Sequence, residues 1–82
     1  MSNKVYWACR RGMLELDSML LPFFQDCFDS LTALEQQTFI QILQEPDPIL
    51  FAWLMNKSEP DNDEFKAIIK KIRNFSQSTD CA

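Results

Sequence analysis

Apolar side chains return every three or four residues along most of this chain, and no alternating pattern runs long enough to specify a β-strand. The most regular stretch is near the end. There Phe65, Ile68, Ile69 and Ile72 repeat at i, i+3, i+4 and i+7, with Lys66, Lys70 and Arg73 on the other side. This predicts an amphipathic helix, opened by Asp61 and Glu64 after a polar loop from Asn56 to Pro60. Before it, Leu34, Phe39, Ile42 and Leu43 make an inward stripe, with Glu35, Gln36, Gln37 and Gln41 largely outward. Thr32 and Glu35, three residues apart, form a capping box in which each side chain satisfies a backbone N–H left free at the helix start. Pro46 stops that helix and Asp47-Pro48 starts the next, with Asp as N-cap, Pro in the first helical position, and Ile49, Leu50, Trp53 and Leu54 buried.

The first half reads less cleanly. Asn3 is placed to cap a short helix from Lys4 to Arg11 containing Val5, Tyr6 and Trp7, which Gly12 interrupts or ends. Met13, Leu14, Leu16, Leu20 and Leu21 then make a broad apolar face, and Pro22 is expected to break or kink it. Phe23, Phe24 and Phe28 continue at helical spacing up to a turn at Asp29-Ser30. The sum is an all-α fold, a compact bundle of about five short helices. With 82 residues the chain has material for one core, so residues 1–75 are expected as a single domain and residues 76–82 as a loose tail.

Composition narrows the chemistry. There is no histidine, so Ser/His/Asp and Cys/His catalytic groups are impossible and no histidyl-linked cofactor can be carried by this chain itself. Three cysteines without a CxxC pair are expected as reduced thiols, since an odd count always leaves one over. Asp61, Asp63 and Glu64 lack the glycine and spacing of a calcium loop, and no metal site is expected. A net charge of −4 argues against general affinity for nucleic acid or anionic membranes. The cations at 66, 70, 71 and 73 are expected to be a solvated helix face. No apolar run approaches bilayer length and the first residues lack a signal-peptide pattern, which makes a bacterial cytoplasmic protein the expectation. A flavin enzyme would need a glycine-rich phosphate loop that is absent here.

The one unusual constellation is Arg10-Arg11-Gly12 followed by Glu15 and Asp17, with the only glycine of the chain between paired cations and paired anions. Either a turn requires that glycine, or a partner's backbone approaches closely there. A helix end capped by glycine with solvated charges around it accounts for the same residues. If the helix continued, Arg11 and Glu15 would share a face. Most of the aromatic residues are expected in the core, with Trp7 and Phe51 the better candidates for exposed contact.

The segment from Trp7 to Asp17 resembles the SdhE family, also called succinate dehydrogenase assembly factor 2, through its RGxxE motif at Arg11, Gly12 and Glu15. The likeness continues through Pro22-Phe23-Phe24, Phe28-Asp29-Ser30-Leu31, Glu35, Phe39, Asp47-Pro48 and Leu50 to Met55, and fades after Phe75. It implies a five-helix, non-enzymatic assembly factor, a monomer when free. Such a protein binds the flavoprotein subunit of succinate dehydrogenase, and in bacteria often that of fumarate reductase, and promotes covalent attachment of FAD to a histidine there. The resemblance implies no stably bound cofactor on the factor itself. It places Arg11, Gly12 and Glu15 at the partner interface, with Arg10 and Asp17 as neighbours; Trp7 and Phe51, the candidates for exposed contact, are expected to join them. Some relatives carry an antitoxin label, so a helical interaction module acting on other protein partners is the alternative.

Overall fold

The computed structural model describes residues 3–78, with nothing but helices and their connections among them. The helices are α1 (Asn3–Cys9), α2 (Leu14–Cys27), α3 (Ala33–Ile42), α4 (Asp47–Leu54) and α5 (Asp63–Ser78), and a single 3-10 turn, Phe28–Ser30, follows α2. The all-α expectation holds, and so do the order and the number of helices.

α2 is the organising element because its buried residues, Leu16, Met19, Leu20, Phe23 and Cys27, keep one face over its full length. It packs against α1, α4 and α5, and α3 closes the bundle on α5 through Phe39 and Ile42 on one side and Ile68, Ile69, Ile72 and Phe75 on the other. The phenylalanines stack inside this interface. Phe23 lies 5.6 Å from Phe39 and 5.9 Å from Phe75 between ring centroids, and Phe24 and Phe28 pack around Phe39. These rings are the core rather than a flavin platform. At the start of α3 the capping box forms as read from the sequence, with Thr32 accepting from the Glu35 N–H and Glu35 accepting from the Thr32 N–H.

Five local expectations are corrected. Pro22 does not break α2, which runs through it to Cys27; buried Leu20 and Phe23 on either side hold both halves to the same core and offset the cost of an interior proline, about 3 kcal/mol for the lost hydrogen bond and the ring's clash together. Leu34 and Ile49 were expected inward but are 59% and 41% exposed. Short helices present only two turns to the core, which Thr38, Phe39 and Ile42 fill in α3 and Leu50 and Leu54 in α4. Asp47 is not the N-cap of α4; Pro46 occupies that position and the Asp47 carboxylate goes elsewhere, as described below. α5 is capped by Asn62, whose Oδ1 accepts from Glu64 and Phe65, rather than by Asp61. Its last turn continues through Ser78, so residues 76–78 belong to the helix. Positions 79–82 and the Asn3 side chain lie outside the described residues.

The expectation of reduced thiols fails at Cys27, which is disulfide-bonded. Cys9 is the leftover thiol that an odd count requires; Cys81 lies outside the described residues.

Candidate partner-binding site

The connector between α1 and α2 is four residues long, Arg10 to Met13, and carries the charged constellation. Its shape follows from Gly12, which sits at φ +78°. An L side chain there costs roughly 1–2 kcal/mol, so a glycine relieves the turn. The helix therefore does not continue from Arg11 to Glu15, and the two do not share a helical face. Asp17, in the first turn of α2, accepts the backbone N–H of Arg11 at 2.7 Å. A carboxylate beside a helix N-terminus is also favoured by the helix dipole.

Arg11 is turned inward. Its Nε donates to Asp47 Oδ1 at 2.7 Å, Nη1 donates to the carbonyls of Ala8 at 2.9 Å and Leu43 at 2.6 Å, and Nη2 donates to the carbonyl of Glu45 at 2.6 Å. Those carbonyls stand at or just past the ends of α1 and α3, where backbone acceptors lose their intrahelical partners and positive charge is favoured. A planar guanidinium with five donors can serve all of them at once. The side chain is 13% exposed. One residue thus ties the end of α1, the end of α3 and the first turn of α4 to the connector. Asp47 is the part of this arrangement that spacing along the chain does not reveal, since 36 residues separate the two.

With Arg11 and Asp17 engaged internally, the outward side of the connector consists of other residues. Trp7 is 62% exposed, with Tyr6 edge-on at 5.3 Å and the Arg10 guanidinium 5.9 Å from its ring centroid. Gly12 is exposed, and a Cβ built on it would meet no atom within 4 Å. Glu15 is exposed, and so is Leu14, at 79% the most exposed large apolar residue described. Leu14 was grouped with the inward face. Ser18, one turn on, and Gln25, on the same side of α2 three turns on, are polar and exposed, a signal that could have placed it outside. Phe51, expected exposed, is half-buried against the core because the short, apolar α4 is covered on more than one side.

A family model described as flavinator of succinate dehydrogenase matches residues 3–76. The chain belongs to this family. Curated relatives include the FAD assembly factor SdhE of Coxiella burnetii, 49% identical over 75 residues that cover 92% of each chain. The protein of that name from Vibrio cholerae is 51% identical over 69 residues, 84% of this chain and 80% of its own. The one from Yersinia pseudotuberculosis is 48% identical over 75 residues, 92% of this chain and 85% of its own. The resemblance read from the sequence is therefore a family relationship over nearly the whole chain.

In this member of the flavinator family the connector also shelters Cys9, which has no solvent exposure. Burial pushes its thiol up to about 12, outweighing the opposite pull of the Arg11 charge, while Asp17 adds to the rise. In a 5,5′-dithiobis(2-nitrobenzoate) assay at pH 8, Cys9 is expected to react only at the rate at which the bundle opens. The thiol is protonated in both folded and unfolded chains below about pH 9; above that the unfolded chain ionises first, so this group removes stability progressively between about pH 9 and 12. Fast stoichiometric labelling of native protein would contradict this.

Proposed function

We propose that this chain binds the flavoprotein subunit of succinate dehydrogenase, and that of fumarate reductase, through the outward side of the α1–α2 connector, and promotes covalent attachment of FAD to a histidine there without being a catalyst itself. The observation that carries the reading is the connector, a stiff turn with an exposed tryptophan, leucine and carboxylate, in a chain whose relatives are named FAD assembly factors.

Trp7 and Leu14 supply the apolar anchors that dominate binding energy at an interface. Arg10 and Glu15 add charge-assisted hydrogen bonds that fix orientation. Gly12 leaves open space where a partner's main chain can approach. Arg11 and Asp17 act as positioning residues that set the geometry of the others. FAD, held by the partner, supplies the chemistry of bond formation; this chain holds the partner's histidine and the flavin within attack distance. Having no histidine, it cannot itself carry a histidyl-linked flavin. Among the described residues no helix is long and apolar enough to cross a membrane, and the work is assigned to the bacterial cytoplasm, where the chain is a monomer until it meets its partner.

The test is in-gel flavin fluorescence of the denatured succinate dehydrogenase flavoprotein from cells lacking the gene, complemented with wild type or Glu15→Ala. Fluorescence is expected to vanish in the deletion and return with wild type but not with Glu15→Ala. Unchanged fluorescence in every strain would reject the reading.

A further inference from the structure

The far end of α4 opens on a different surface. Between the α4–α5 loop and α5 lies a groove of about 690 Å³ whose floor is apolar, from Met19, Leu54 and Met55. Its wall is cationic, from Lys66, Lys70 and Arg73. The chain has eight cations against twelve acids, yet three of the eight meet here and Glu59 is the only acid in the lining. Internal pairing leaves much of that charge available. Lys66 reaches Asp63 only at 3.9 Å, and Arg73 reaches the half-exposed Glu59 at 3.6 Å. Lys70 has no ion-pair partner among the described residues. The groove is bordered by fixed contacts: Asn56 turns the loop at φ +61°, the Lys57 and Ser58 backbone N–H groups donate back to the Ala52 carbonyl, and the Arg73 side chain donates through Nε to the Trp53 carbonyl at 3.1 Å.

We infer that this groove docks an extended acidic peptide segment of a protein partner. Lys66, Lys70 and Arg73 follow one stripe of α5 with rises of about 6 and 4.5 Å between them. Same-side residues of an extended peptide stand about 6.6 Å apart, so carboxylates at alternate positions meet Lys66 and Lys70 within the reach of their flexible side chains, while Arg73, held by the Trp53 carbonyl and Glu59, adds fixed positive charge beside them. The amides of Asn56 and Asn74 in the lining offer donors and acceptors to the peptide main chain. The apolar floor takes an aliphatic side chain. A nucleic-acid backbone would leave that floor unused and face a chain of net charge −4. The groove and the connector engage opposite ends of α4, about 12 Å apart, so one partner can reach both. The inference is nonetheless independent of the flavoprotein reading.

The experiment is fluorescence anisotropy of a fluorescein-labelled nonapeptide with aspartate at every second position and valine or serine between, titrated with the full chain at low salt. Saturable binding is expected. It should weaken at least about tenfold in the Lys66→Glu/Lys70→Glu double variant, vanish for the asparagine version of the peptide, and be unaffected by Glu15→Ala. Amide shifts of the wild-type protein on adding the peptide should centre on Met55, Lys70 and Asn74, a readout that stands even if the double variant does not fold. Absence of binding, equal binding by the double variant, or shifts confined to the connector would overturn the inference. Displacement of the peptide by inorganic pyrophosphate or duplex DNA at equal concentration would overturn it in favour of a simple anion or nucleic-acid site.

Discussion

Arg11→Ala will lower the unfolding free energy by about 3 kcal/mol. Each of the four bonds from the guanidinium is charge-assisted, and such bonds contribute about 1.5–3 kcal/mol apiece when isolated. They do not add in full, because Asp47 is over a third exposed and water can reach it once the arginine is gone. What water replaces poorly is the set of carbonyls at the ends of α1 and α3, gathered under a side chain that is largely buried. For a chain of this size, total stability is roughly 4–12 kcal/mol, so the change removes a large share of it. With a urea dependence of about 1 kcal/mol per molar, the unfolding midpoint should fall by about 3 M. Arg11→Lys keeps the charge but loses the planar fork, and should sit about halfway. A midpoint for Arg11→Ala indistinguishable from wild type would show that the fork exchanges freely with solvent and is not the tie described above.

The second large effect separates folding from partner recognition. Gly12→Arg places an L side chain at φ +78°, a strain of roughly 1–2 kcal/mol, but the added Cβ points into open space. Helical circular dichroism should therefore persist with a modestly lower melting temperature. Covalent flavin on the partner subunit should nevertheless fall to the level of the gene deletion, because the long side chain fills the space through which the partner's main chain approaches. Gly12→Ala isolates the strain: it should lose similar stability while retaining measurable flavinylation. Were Gly12→Arg to support wild-type flavin fluorescence, close approach at this turn would be dismissed, and the glycine would be explained by the backbone angle alone.

Both effects turn on residues that the sequence singles out but does not interpret. Arg11, Gly12 and Glu15 are adjacent on paper and carry the family resemblance together, yet they divide into separate roles in the fold. Arg11 faces inward, Gly12 makes the turn, and Glu15 faces solvent. Phe51 and Leu14 exchange their expected places, the first moving onto the core and the second out of it.

Local chemistry was enough to set the helices themselves. The period of Ile68, Ile69, Ile72 and Phe75 needs nothing beyond the geometry of a single helix, and the Thr32–Glu35 box closes over four residues. Those features were legible because each is decided within a turn or two of chain. The tertiary structure alone decided which side of each short helix faces in, since a two-turn segment rich in apolar residues on several sides has more than one acceptable inward face. It also decided the fate of Pro22, where packing on both flanks outweighs one missing hydrogen bond. Above all it decided the partner of Arg11. The groups that satisfy that guanidinium come from 3, 32, 34 and 36 residues away, and no pattern along the chain could bring them together before the core did.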